Sequence, residues 1–394
     1  MPDRSPGKWF LTSMKESFRM LKRLLLIFLW VWFAEGSLCA QARKYSNEFL
    51  NIGAGARGLG MGGAQEASVN DATAGYWNPA GLLGVRDNPQ FSLMHAEYFA
   101  GIGKYDFATA AIPLPDKKRV IGFTLLRFAV DNIPNTLNLI GPDGSVNYNN
   151  VTTFSSADYA FLFSYAQPVK IRTGSGKFLP IRVGANIKVI HRIVGTFAKA
   201  WGFGIDAGAQ LDLKNWHFGI MARDITSTFN AWQFSFTDQQ KQILYLTQND
   251  IPVHSTEITL PTLIPGVAYS FNLKNHFTLL TELGVNVAFD GRRNTLLSGN
   301  RVSLDPHLGL EASYKNIIFL RAGISNIQRT LDDTDTSNLR KVTIYQPSIG
   351  AGFRVHHIHV EYAFTNLANQ SQPLYTNIFS ILFSLGKWKK GKEQ

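Results

Sequence analysis

Cysteine is almost missing from this 394-residue sequence: one occurs, Cys39. It lies in a segment expected to be removed, so disulfides, cysteine nucleophiles and thiolate metal sites drop out of consideration. Charge is sparse too. Only 17% of residues are charged, whereas 45% are hydrophobic, 12% aromatic and 34 are glycine. Mean hydropathy is nevertheless close to neutral, too polar for a bundle of membrane helices. The one long apolar run, Leu24 to Phe33, is ten residues, half of the roughly 20 that a spanning helix needs. This mixture suits strands that are apolar on one face and polar on the other, with aromatics left for interfacial girdles.

The formal charge is +11, of which +3 precedes residue 43, leaving +8 beyond it. Nucleic-acid binding requires clustered basic residues. Here they are scattered singly, apart from Lys387, Lys389, Lys390 and Lys392, so no nucleic-acid partner is expected.

Residues 1–42 read as an export signal cleaved near Ala40-Gln41-Ala42. Lys15, Arg19, Lys22 and Arg23 form a basic start, the run Leu24–Phe33 follows, and Glu35 and Gly36 end it. Translation starting at Met14 or Met20 fits the same reading. Leu38 before Cys39 speaks against a lipoprotein signal, which wants a small residue there.

From about residue 89 the apolar residues alternate with period two, the mark of strands with one apolar face. Trp201, Phe203, Ile205, Ala207, Ala209 and Leu211 share a face opposite Gly202, Gly204, Asp206, Gly208 and Gln210. Val183, Ala185, Ile187 and Val189 oppose Arg182, Gly184, Asn186 and Lys188, and Leu308, Leu310 and Ala312 oppose His307, Gly309 and Glu311. A soluble sandwich would alternate likewise, but connection length separates the two. About fourteen strands can be counted, joined alternately by short turns (near 115–118, 214–215, 273–275 and 315–316) and long loops (near 131–154, 225–261, 290–302, 326–344 and 365–375). Short periplasmic turns and long extracellular loops are the rhythm of an outer-membrane barrel. A very short outer link at Ala100-Gly101 and a longish inner one at 169–180 depart from it. The expected fold is therefore all-β: a transmembrane antiparallel β-barrel over 89–388, with a basic periplasmic tail at 389–394.

Residues 43–88 do not alternate. They carry Gly53, Gly55, Gly58, Gly60, Gly62 and Gly63, then Asp71-Ala72-Thr73-Ala74 and Trp77-Asn78-Pro79-Ala80-Gly81-Leu82. A glycine-rich stretch of this length ahead of the first strand is expected to plug the lumen, because glycine permits close backbone packing and unusual dihedrals.

The run Asn47 to Ala64, with Gly53, Gly55, Arg57, Gly58, Gly60 and Gly62, continuing through Asp71, Trp77, Asn78 and Pro79, resembles the N-terminal signature of the PorV/PorQ family. That family lies within the wider group of FadL-like fatty-acid transporters, which share the Asn-Pro-Ala element. The resemblance covers about forty residues. It implies a fourteen-stranded barrel with a luminal hatch, mostly in Bacteroidetes-type bacteria, and for PorV-like members a role in type IX secretion. Their partners there are secreted protein cargo and other outer-membrane secretion components.

Other motifs are weaker. Gly53-Ala54-Gly55-Ala56-Arg57-Gly58 matches G-x-G-x-x-G literally but lacks the preceding strand and following helix of a dinucleotide site. His356, His357 and His359, with Glu361, fall short of a supported metal set. Asp332, Asp333 and Asp335 lack the glycine and final glutamate of a calcium loop. No catalytic set stands out, and neither a cofactor nor a metal nor an enzymatic activity is expected. Charges expected to face the lumen include Arg182, Lys188, Asp206, Arg223, Asp305, Glu311, Arg321, Arg354 and Glu361, with Arg57 and Asp71 of the plug as candidate partners.

In loop 225–261, Trp232, Phe234 and Phe236 alternate with other residues, and Thr237-Asp238-Gln239-Gln240 reads as a capping box opening a short helix. These aromatics are expected to form a partner-binding surface or a lid over the mouth. Two functions stay open: a secretion accessory that binds cargo or translocon partners, and a FadL-like channel for small hydrophobic molecules, with a ligand near the plug and membrane lipid around the barrel.

Overall fold

The computed structural model describes residues 46–99, 101–140, 144–172, 178–250, 254–331, 341–366 and 375–386. The chain divides into residues 1–41 and Ala42–Gln394, and all described residues belong to the second unit. The segment expected to be an export signal, Cys39, the aspartates at 332, 333 and 335 and the expected basic tail lie outside them.

Seventeen strands form one antiparallel sheet. They are β1 (Gln90–Tyr98), β2 (Gly103–Pro113), β3 (Val120–Asn135), β4 (Thr152–Arg172), β5 (Phe178–Val194) and β6 (Ala198–Leu213). Then follow β7 (Trp216–Arg223), β8 (Thr228–Phe234), β9 (His254–Thr259), β10 (Thr262–Asn272), β11 (Phe277–Ala288) and β12 (Leu297–Ser298). The last are β13 (Ser303–Tyr314), β14 (Ile318–Leu331), β15 (Lys341–Val355), β16 (Ile358–Asn366) and β17 (Tyr375–Ser384).

Fourteen of these close the wall, because β7 pairs with β10, β11 with β13, and β17 returns to β1 from Gln90↔Ser384 to Glu97↔Asn377. Closure leaves no unpaired edge in hydrocarbon, where each unsatisfied backbone group would cost several kcal/mol. The faces follow the sequence alternation. Leu93, Phe163, Ile187, Leu320, Ile349 and Phe379 are each at least half exposed on the outside, as lipid-facing residues of an integral outer-membrane barrel are.

The loops differ in detail from the sequence reading. The β4–β5 ladder runs on to Arg172↔Phe178, so the longish inner link is mostly strand. Loop 225–261 is partly strand as well: β8 continues the line of β7 alongside β6, and β9 leads into β10. Between β7 and β8 the pairing with β6 is bulged, held by Ile225 N donating to Ile205 O at 2.9 Å. Ala222 pairs with Ala207, but the next pair is Phe229 with Phe203, so six residues face three. Left-handed backbone at Asp224 and Ser227, with φ of 55° and 57°, takes up the excess, and Asp224 is buried.

Residues 46–85 lie inside the wall. Short helices at Ala56–Gly60 and Ala74–Trp77 and 3-10 turns at Glu48–Asn51 and Pro79–Gly84 fold them into a compact plug. The lumen is two-sided. Toward β1–β5, Met94, Tyr105, Phe107, Leu126, Leu162 and Ile190 pack on Phe49, Tyr76, Trp77, Leu82 and Val85. Around the rest of the wall charged, polar and glycine residues are interspersed with apolar ones such as Met221, Ile264 and Leu280.

Candidate functional site

The glycine run of the plug is shaped around Trp77. Its indole Nε1 donates to Ala54 O at 2.8 Å, and its ring lies where a Cβ on Gly58 would be 2.6 Å away. Gly53 and Gly63 border the same ring. Gly60 and Gly62 face the wall instead, against Gly350 and the Ile324 backbone. Gly55 has φ +78°, a conformation that favours glycine, and its N–H donates to Met94 Sδ.

Asn78 and Pro79 join the plug to β6 and β7. Asn78 Oδ1 accepts from Ala80 N, capping the turn that follows, while Nδ2 donates to Glu66 O at 2.8 Å and to Ala209 O at 3.2 Å. Asp71 closes a local turn by accepting from the Thr73 amide and hydroxyl.

The wall meets this backbone with glycines, a feature the sequence reading passed over. Gly184, Gly208, Gly219, Gly266, Gly284, Gly309 and Gly323 all point at the plug or at side chains touching it. Several are direct cross-strand partners: Gly184 with Gly208, Gly266 with both Gly219 and Gly284, and Gly309 with Gly323. A Cβ on Gly219 would lie 2.1 Å from Glu66 O, and one on Gly184 2.4 Å from Pro79 C. The signal was present in the alternation, where Gly184, Gly208 and Gly309 sit on the inward face, but only the register aligns them into a belt.

The charges pair across the lumen. Arg57 forms a bidentate contact with Glu311, at 3.0 and 3.1 Å, and lies 3.7 Å from Asp71. Burial opposes its charge, but Glu311 and Asp71 outweigh burial and raise the guanidinium above its ordinary value. Arg321 bridges Glu311 and Glu361. Lys188 lies between Asp206 and Asp224, Arg182 pairs with Asp212, and Arg354 Nε donates to His359 Nε2. Asp71 thus meets a plug residue, and Arg57 carries the tie to the wall.

A small cavity opens beside the β7–β8 bulge, lined by Ser46, Asn47, Leu50, Tyr76, Leu162, Lys188, Arg223 and Asp224 among others. The Arg223 guanidinium sits 4.9 Å from the centre of the Tyr76 ring. Tyr76 OH donates to Leu50 O at 2.6 Å and accepts from Gly53 N at 3.1 Å. Burial raises its pKa above the usual phenol range, so it stays neutral as a donor.

Trp232, Phe234 and Phe236 are half-buried, and the first two share the inward face of β8 with buried Thr228 and Asn230. They are not a fully exposed patch. Their rings step at 6.2 and 6.4 Å, and Phe236 continues to Phe197 and Phe154. At the other end Trp232 lies under Arg192, which contacts Glu257, which accepts from Ser46 Oγ. The ladder therefore leads from the mouth to the cavity. The helix Asp238–Leu246 beyond it has the expected capping box of Thr237 and Gln240, and Tyr245 and Leu246 at its end are 76% and 69% exposed.

No family model matches the sequence, and no curated protein sequence does. Solved structures do. The CymD monoaromatic hydrocarbon channel aligns over 84% of this chain and 97% of its own, with 13% identity and a TM-score of 0.52. The Ralstonia pickettii toluene transporter TbuX aligns over 84% and 98%, with 12% identity and a TM-score of 0.50. At such identities the likeness shows the fold alone, a closed fourteen-stranded antiparallel β-barrel.

Proposed function

We propose that this barrel admits small hydrophobic molecules across the outer membrane, past a plug that must shift to let them through. One observation carries the reading: a series of aromatic rings runs from the mouth to Trp232, which Arg192, Glu257 and Ser46 join to a cavity whose apolar side, Leu50, Tyr76 and Leu162, adjoins the apolar half of the lumen. Pockets for such ligands are mostly apolar; here polar residues, Asn47, Lys188, Asp206, Arg223 and Asp224 among them, surround that apolar side, so the plug's shift would have to widen the cavity toward the apolar half of the lumen. The bulge between β7 and β8, where six residues face three, lies beside the cavity and is where a lateral exit would open. The likeness to CymD and TbuX, described as a hydrocarbon channel and a toluene transporter, favours the same reading. It assigns the chain no catalytic step. Uptake of a labelled aromatic hydrocarbon by cells with and without the gene tests it; equal uptake would overturn it.

A second reading, a type IX secretion accessory of the PorV/PorQ kind, draws on the plug signature and on the exposed end of the helix Asp238–Leu246, where Tyr245 and Leu246 offer an apolar contact for a protein partner. Comparing secreted and surface-attached proteins with and without the gene tests this reading separately.

A further inference from the structure

Between the plug and the wall three titratable side chains are buried together: Glu66 of the plug, Glu282 of β11 and His307 of β13, at 2%, 1% and 5% exposure. Glu66 Oε2 is 3.3 Å from His307 Nε2 and accepts from the Gln65 amide. Glu282 Oε1 accepts from the Ala67 amide at 2.7 Å. Its Oε2 is buried beside Ser68 Oγ of the plug. The space for Glu66 is made by glycine. A Cβ on Gly284 would lie 2.7 Å from Glu66 Oε2 and 2.1 Å from His307 Nε2, and one on Gly266 2.9 Å from Glu66 Cβ. Glu66 is thus a pin in a fitted socket.

We infer that Glu66, Glu282 and His307 form a proton-dependent latch that holds the plug in its seat and releases it when the shared protons are lost. The charge count requires protons. Two protons over the three groups give zero net charge: a Glu66 carboxylate against a His307 imidazolium, with Glu282 as a neutral acid. A proton on Glu282 Oε2 turns that atom into a donor toward Ser68 Oγ of the plug. Losing one proton buries a net negative charge, and losing both buries two carboxylates side by side, which a dry interior disfavours.

The surrounding charges do not replace those protons. From the plug, Arg57 is held by Glu311 and Asp71. From β7, Arg223 lies over Tyr76 and shares its charge among Asp206, Asp224 and Glu66. From β14, Arg321 is taken by Glu311 and Glu361, and β10 contributes the uncharged Gly266 and Ala268 at this point. Asp305 of β13 adds a further carboxyl, with one oxygen unpartnered. The latch concerns the seating of the plug and holds whichever molecule the barrel serves.

The test places a reporter thiol on the plug at buried Ala72, as Ala72→Cys, in the full-length barrel carrying Cys39→Ser in the same gene. Labelling by a methanethiosulfonate reagent is normalised to a second barrel with Asn249→Cys at an exposed site, which removes the reagent's own pH dependence. Raising the pH from about 6 to about 9 is expected to increase normalised labelling by about ten-fold. Glu282→Gln, a permanently neutral mimic of the protonated acid, is expected to flatten that rise while labelling at the lower pH stays low. Glu66→Gln, which leaves a single carboxylate, is expected to reduce the rise. Heat-modifiable migration reports barrel folding in each variant. Labelling independent of pH in the parent, or a rise of the same size in both glutamine variants, would overturn the latch.

Discussion

Arg57 on the plug and Glu311 on β13 are joined by two parallel hydrogen bonds, Nε to Oε2 at 3.0 Å and NH2 to Oε1 at 3.1 Å. Both side chains are largely shielded, at 16% and 9% exposure, so the pair is neither a freely hydrated surface contact nor a fully dry one. Arg57→Ala would leave Glu311 to Arg321 alone. The expected cost to plug seating is about 1–3 kcal/mol, because one charge partner remains. Proteolysis of the 46–85 segment in the folded barrel should accelerate, while heat-modifiable migration stays as in the parent.

The glycine belt predicts a graded series. In Gly219→Ala the new Cβ meets the Glu66 carbonyl oxygen at 2.1 Å, whereas in Gly350→Ala the nearest atoms stand at 3.2 and 3.3 Å. Backbone on the plug side cannot rotate away as a flexible side chain would. Gly219→Ala should therefore unseat the plug at a cost of about 1–3 kcal/mol, and Gly350→Ala should cost less than about 1 kcal/mol. Ion conductance of single barrels in a planar bilayer is the readout, and equal conductance for the two would contradict the belt's role.

Tyr76 predicts an alkaline limit of its own. Burial raises its pKa in the folded protein, so the folded state holds the phenol proton more tightly than the unfolded chain does. That stabilisation is complete below the ordinary phenol pKa of about 10 and is lost as pH climbs through the raised value. Tyr76→Phe should remove this high-pH limb. It also strands the Gly53 amide, at a cost of about 1–3 kcal/mol at neutral pH. Chemical denaturation at a series of pH values would show both effects.

The aromatic ladder predicts a transport defect without a folding defect. Trp232→Ala breaks the series between Phe234 and the Arg192 guanidinium, 5.0 Å from the Trp232 ring. Uptake of a small aromatic hydrocarbon should fall several-fold, while barrel folding and membrane insertion remain normal. A variant that transports as well as the parent would take the ladder out of the route.

Much of this architecture was readable in advance. The alternation in β5, β6 and β13 placed Asn186, Lys188, Asp206 and Glu311 on the inward side, where they are buried, because which face a side chain takes in a strand depends only on counting by two. The capping box at Thr237 was legible for a similar reason, being set by residues three apart. The aromatics of loop 225–261 were legible only in part. Period two was visible there, but the pairing of β8 with β6 that turns Trp232 and Phe234 inward joins residues about thirty positions apart. Glu66 and Glu282 drew no notice, since a lone acid in a glycine-rich plug and another in a strand carry no motif.

The sequence by itself determined that the chain makes strands with one apolar face, that they number about fourteen, and that a glycine-rich segment precedes them. These are local properties, written in residue type and spacing. Only the tertiary structure decided that the lumen has an apolar side and a charged side, that glycines from neighbouring strands align into a seat, and that Arg57 meets Glu311 across 254 residues of chain. Cross-strand register and barrel closure set those juxtapositions, and both are non-local: a slip of one residue between two strands would send every inward side chain to the lipid.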